Sequence, residues 1–166
     1  MTFKVLFVLV VLSHDRRKLV HIGVTASPTA EWTARQITEA FPWDEAPRFL
    51  VRDRHSTYGQ AFRDRAKAMG IEEVLIAPRS PWQNGYVERL IGSIRRECLD
   101  YVIARDEQHL RRVLRSYVTY YNQTRTHLAL SKDAPTPRPA ASSSGGRIVA
   151  IPEVGGLHHR CKRLAA

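Results

Sequence analysis

Eight consecutive residues, Val5-Leu6-Phe7-Val8-Leu9-Val10-Val11-Leu12, carry no polar side chain. Continuous Val, Leu and Phe without alternation is the pattern of a strand covered on both faces, so helices are expected above and below the sheet it enters. After Lys4 the run superficially matches a secretory leader. It is too short to cross a bilayer, Ser13-His14-Asp15-Arg16-Arg17-Lys18 follows at once, and no small-x-small cleavage site is evident. It reads as a buried strand, with no membrane partner.

The polar turn Ser13 to Arg17 leads to a second strand, Lys18 to Thr25, and the two form an antiparallel hairpin. Ser27-Pro28 reads as an N-cap with proline in the first turn, opening a helix to about Ala40 with Ala34, Ile37, Ala40 and Phe41 inward. Phe49 to Arg52 is a short strand. Tyr58 to Met69 is a helix with Phe62, Ala66 and Met69 inward, closed by Gly70. Glu73 to Ala77 is a further strand, stopped by Pro78 and Pro81.

From about Gln83 a basic amphipathic helix begins, burying Val87, Leu90, Ile91, Ile94 and Cys98, and a last helix runs from about Asp106 to Tyr121. Residues 1–130 thus form one domain. Residues 131–166, with Pro135, Pro137, Pro139 and Ser142-Ser143-Ser144-Gly145-Gly146, read as a basic, disordered tail. The element order is that of an α/β domain with a mixed sheet.

Charge narrows the partner. Lysine and arginine outnumber aspartate and glutamate by 26 to 16, a net charge of +10, with a pI near 10.2, which favours a polyanion and makes nucleic acid the first candidate. The two cysteines, Cys98 and Cys161, are far apart. They suggest neither a disulfide framework nor a zinc site, and a reducing cytoplasm fits.

Two acids stand out against this background. Asp53 ends the apolar run Phe49-Leu50-Val51-Arg52, and Glu88 falls on the first turns of the basic helix, inside Ser80-Pro81-Trp82-Gln83-Asn84-Gly85-Tyr86-Val87-Glu88. Taken alone, Asp53 reads as a loop cap and Glu88 as a surface acid pairing with Arg95. Together with Tyr121-Asn122, Arg125-Thr126-His127 and Leu130, these segments resemble the catalytic core of integrases and insertion-sequence transposases. The resemblance covers residues 3 to about 137.

That resemblance implies a ribonuclease H-like fold and a strand transferase acting on DNA for integration and transposition, assembled as a homo-oligomer at full length. It implies three acids, two aspartates and a glutamate, holding Mg2+ or Mn2+, with Asp53 as the second aspartate and Glu88 as the glutamate. The chemistry is reasonable on general grounds, because hard divalent cations take oxygen ligands and paired ions stabilise both oxygens of an in-line phosphoryl displacement. Arg52, Arg54, Arg79, Arg89, Arg95 and Arg96, as a group on the carboxylate side, suit phosphate contacts. Trp82, Gln83 and Asn84 are expected to brace or enter the DNA groove, Trp82 as readily in the core as on a base.

The chain departs from that pattern at its start. The family's first aspartate lies on a first strand upstream of the hairpin, and this sequence has no acid before Asp15, which sits in the hairpin turn. The expected fold is therefore ribonuclease H-like without its first, central strand, the expected chain an amino-terminally truncated or decayed frame, and the expected fragment inactive alone. The gap is then met by direct pairing of the flanking strands, by a donated strand, or by instability. Two other readings stand beside strand transfer: a non-catalytic DNA-binding or oligomerising remnant, and a ribonuclease H-like nuclease acting on RNA, which the glutamate motif disfavours.

Overall fold

A computed structural model describes residues 4–42, 45–139 and 146–164. In chain order these form β1 (Phe7–Leu12), β2 (Leu19–Thr25), α1 (Ala30–Ala40), β3 (Phe49–Arg52), α2 (Gln60–Ala68), β4 (Glu72–Leu75), α3 (Gly85–Glu97), α4 (Glu107–Gln123), β5 (Ile148–Glu153) and β6 (His158–Arg163). Short 3-10 turns occupy Pro81–Asn84, Leu99–Tyr101, Leu128–Leu130 and Val154–Gly156. The architecture is mixed α/β, with parallel β3–β4 and antiparallel β5–β6.

The strands form three two-stranded sheets, β1–β2, β3–β4 and β5–β6. Among the described residues β1 and β3 therefore do not pair directly, and each keeps one edge without a strand neighbour. The burial expected for the apolar run is only partly realised: Val11 is buried, whereas Phe7 is 42 % exposed. Among the described residues β1 has a single hydrogen-bonded neighbour, β2, so no second flanking strand extends its cover.

The chain divides into two compact units, residues 1–12 with 20–91 and residues 13–19 with 92–166. In the first, β3 and β4 run parallel in the register Phe49↔Glu72 to Arg52↔Leu75, and α2 supplies the crossover that a parallel pair requires. Its core is Ile37, Phe62, Ala66 and Ile71, with Phe41, Leu50, Tyr58 and Met69 packed against it. Gly70, at φ +70°, releases the chain from α2 into β4, a conformation that favours glycine. The cap of α1 is Thr29 rather than Ser27, because the extended Thr29 backbone points its hydroxyl at the Trp32 amide, 3.2 Å away.

Gly23 of β2 lies where α1 approaches most closely. A Cβ there would stand 2.1 Å from Gln36 Oε1 and 3.1 Å from the Trp32 ring. Gln36 is buried and its Oε1 is within 2.9 Å of His21 Nε2, so it has little room to yield. Gly23→Ala is expected to destabilise the protein by about 1–3 kcal/mol through overpacking, read as a lowered denaturant midpoint.

In the second unit, α4 is capped by Asp106, whose Oδ1 accepts from the His109 amide at 2.7 Å. It buries Leu110, Leu114, Tyr117 and Tyr121 along one face. Asn122 joins the end of this helix to the start of β2, accepting from the Leu19 amide at 3.0 Å and donating to the Leu19 carbonyl at 2.8 Å. Arg16 reaches Asp133 at 2.6 Å and the Pro135 carbonyl at 2.9 Å.

The tail reading needs correction beyond residue 130. His127 bridges Asp133, and the Thr136 amide donates to the Asn122 carbonyl at 2.8 Å, so residues 131–136 are tied down. Residues 148–163 form the β5–β6 hairpin, held to α4 by Tyr120 stacked on His158 at 4.1 Å and by Thr124 donating to Glu153 at 3.2 Å. The physical reason is the alternation of half-buried Val149, Ile151 and Glu153 with exposed neighbours around a Gly155-Gly156 turn. The Ser142–Gly145 part of the linker lies outside the described residues.

A titratable cluster stiffens this unit. Burial alone would raise the Glu97 carboxyl, but hydrogen bonds from Arg125 at 2.6 Å and Tyr117 at 2.8 Å, with the Arg125 charge, hold it below its ordinary value. Burial, then the Arg125 and Arg17 charges, push His127 down to about 4. A folded His127 thus stays neutral where the unfolded one, near pKa 6.5, takes up a proton. Stability from His127 is full above pH 6.5 and declines as pH falls toward about 4; that from Glu97 is present above its ordinary value of 4.5 and is lost as pH falls below it. Melting temperature should fall on acidification from pH 7 to 5, and His127→Gln should flatten that fall.

Candidate functional site

Asp53 follows the last residue of β3, and its position is fixed from several directions. Arg52 pairs with Leu75 in the sheet register, and the Ile76 amide donates to the Arg52 carbonyl at 3.1 Å, so the carboxyl ends of β3 and β4 lie side by side. Arg54 Nε donates to the Ile76 carbonyl at 3.2 Å. Asp53 Oδ1 accepts from the His55 amide at 3.0 Å, a local turn that aspartate favours. The residue remains exposed.

Glu88 lies on the helix that starts from the same end of the sheet. After β4, the turn Ala77 to Ser80 is closed by the Ser80 amide on the Ala77 carbonyl at 3.2 Å, with Arg79 at φ +57°. The Gln83 side chain then folds back, its Oε1 accepting from the Ala77 amide at 2.7 Å. That bond fastens the foot of α3 to the end of β4. Glu88 lies exposed in the first turns of α3, where the helix dipole favours a carboxylate. The pairing with Arg95 expected of an ordinary surface acid is not formed; Arg95 turns to Asp100 at 3.5 Å.

The other residues singled out in the sequence divide. Arg52 leaves the set of expected phosphate contacts: it is 8 % exposed, ion-paired with Glu73, and placed 5.0 Å from the Tyr58 ring and 5.4 Å from the Phe62 ring. Side-chain alternation explains this, since Arg52 follows Leu50 onto the face that meets the core. Trp82, 73 % exposed, is not a core residue. Gln83 braces the helix start. Asn84 is half-buried with Oδ1 lacking a hydrogen-bond partner. Arg54, Arg79, Arg89, Arg95 and Arg96 are exposed. Ile91, expected inward, is 47 % exposed, because the buried stripe of α3 runs through Leu90 and Ile94.

Two exposed carboxylates are the right donors for magnesium or manganese, which keep several waters and share positions with substrate phosphates. Among the described residues no three histidine, cysteine, aspartate or glutamate side chains gather as a metal site. The donor chemistry therefore fits a metal completed by phosphate oxygens or by a further acid, not one enclosed by these residues.

Sequence reasoning missed the residues that hold this arrangement in place. Glu73 and Tyr58 fix Arg52, and Arg52 Nη1 donates to the Asp53 carbonyl at 2.8 Å. Burial, then the Asp53 charge, raises the Tyr58 hydroxyl above its ordinary value, with Arg52 opposing. The available signal was the arginine inside an apolar strand, which demands an acid on the paired strand. Arg52→Met removes the guanidinium and leaves the half-buried Glu73 without its partner, so it should destabilise the fold by up to about 3 kcal/mol in chemical denaturation.

The chain as a whole is similar to several known proteins. Residues 69–135 match the family model described as integrase core domain. The chain is 29 % identical over 128 residues to the insertion element IS476 uncharacterized 39.2 kDa protein of Xanthomonas euvesicatoria, covering 76 % of this chain and 37 % of that protein. It is 29 % identical over 129 residues to the insertion element IS407 uncharacterized 31.7 kDa protein of Burkholderia multivorans, covering 77 % of this chain and 47 % of that protein. The chain thus spans less than half the length of these curated relatives. Its fold is similar to a chain in the cryoEM structure of the simian T-cell lymphotropic virus intasome in complex with PP2A regulatory subunit B56 gamma. The TM-score is 0.61 at 15 % identity, over 93 % of this chain and 59 % of that one.

Proposed function

We propose that this chain, which carries the integrase core of the insertion-element transposase family, acts on DNA and contributes Asp53 and Glu88 to a strand-transfer site. The reading rests on one observation above all: the Gln83–Ala77 bond roots the Glu88 helix at the end of β4, beside the end of β3 from which Asp53 projects. The two acids would hold Mg2+ or Mn2+ together with substrate phosphates. When bound, such a metal lowers the barrier to phosphodiester attack by a hydroxyl nucleophile.

Around that pair, Arg54, Arg79 and Arg89 would hold the phosphate backbone, with Arg95 and Arg96 further along the helix. Trp82, exposed at the foot of α3, would lie against a base, with Gln83 and Asn84 beside it. Among the described residues no helix is long and apolar enough to cross a membrane, and the reading places the protein with DNA in the cytoplasm, working as a homo-oligomer. With two carboxylates rather than three, these residues alone bind DNA without turning it over.

Fluorescence anisotropy with duplex DNA tests the reading. The protein should bind with an affinity that falls steeply with salt, and magnesium should tighten binding. Asp53→Asn and Glu88→Gln should each abolish the magnesium effect while leaving the salt dependence unchanged. Absence of salt-sensitive DNA binding would refute the assignment. Strand-transfer product that Asp53→Asn eliminates would refute the claim that the chain is inactive alone.

A further inference from the structure

The solvent face of α4 is unlike an ordinary solvated helix surface. The exposed residues of the helix are Gln108, Arg112, Arg115, Ser116, Thr119 and Gln123, with exposed Arg105 just ahead of it. At 100° per residue they fall within a sector about 100° wide and, from Gln108 to Gln123, about 22 Å long. None is acidic. A surface serving only solubility intersperses both signs, whereas this one offers guanidinium, hydroxyl and amide groups throughout.

The acids nearby are already engaged. Asp106 caps the helix through the His109 amide at 2.7 Å, and Glu107 holds Arg111 at 2.6 Å. At the far end Glu153, 17 % exposed, faces Arg160 at 3.7 Å and accepts from Thr124 at 3.2 Å. Arg112 and Arg115, one turn apart, form no ion pair among the described residues. Beside Ser116 and Thr119 the surface continues into a cleft walled by Tyr120, Pro152 and the Gly155-Gly156 turn, in which Glu153 is the one acid among the described residues.

We propose that this face of α4 is a second nucleic-acid surface, built from residues other than those around Asp53 and Glu88, which holds the phosphate backbone of DNA without reading its sequence. Arginine, serine, threonine and glutamine side chains are the donors used for such positioning contacts. The inference deepens the DNA-acting reading and rests on it.

Salt-dependent binding of the full 166-residue chain to a fluorescent duplex between 50 and 200 mM salt tests it. Arg112→Gln with Arg115→Gln should lower the slope of log affinity against log salt by about 2, at about 0.9 per phosphate contact. Arg65→Gln with Lys67→Gln, exposed on α2, removes the same charge elsewhere and should leave the slope unchanged. Circular dichroism confirms that both variants fold. If the α4 pair binds like wild type, or both pairs lose equally, the α4 surface is refuted while the DNA-acting reading stands. If wild type shows no salt-sensitive binding, both fall together.

Discussion

The buried Arg52 guanidinium is the constraint on which the first unit depends. It closes an ion pair with Glu73 across β3 and β4, lies over the rings of Tyr58 and Phe62, and donates to the carbonyl of Asp53. One cation thus couples the strand pair, the α2 core and the backbone of the candidate site. Taking a charge out of water is expensive unless its donors are satisfied, and here carboxylate, carbonyl and aromatic faces all meet it. The position of Asp53 follows from packing as much as from the sheet.

The same logic runs through the second unit with different partners. Glu97 collects Arg125 and Tyr117, and the ring of His127 stands edge-on to Tyr121 at 5.0 Å. In both units a buried or half-buried charge meets aromatic side chains and links elements distant in sequence. Such networks stiffen a small core when every donor is met, which suits sheets that have two strands each among the described residues.

Much of this was legible in the sequence because the signals are local. Strand β3 matches its apolar run residue for residue, Asp106 caps its helix as the pattern requires, and the Trp82-Gln83-Asn84 lead-in marks the start of the Glu88 helix. What composition obscured was the hairpin at residues 148–163, where serine, glycine and proline nearby outweighed a short alternation. The inward turn of Arg52 shows locally only as an arginine in an apolar strand, and no local pattern identifies its partner Glu73, 21 residues away. The separation of β1 from β3 was equally hidden, since adjacency between strands is a property of the whole sheet.

The unpaired edge of β1 has a consequence in solution. It presents backbone donors and acceptors along a six-residue strand, Phe7–Leu12, with no charged side chain and no proline to deter another edge. Long-range repulsion from the net charge of +10 opposes such edge-to-edge meetings, and it shortens to a reach of about 10 Å at 0.1 M salt. Raising ionic strength therefore lowers the electrostatic barrier that keeps bare strand edges from meeting, so this edge is more exposed to pairing in high salt than in low.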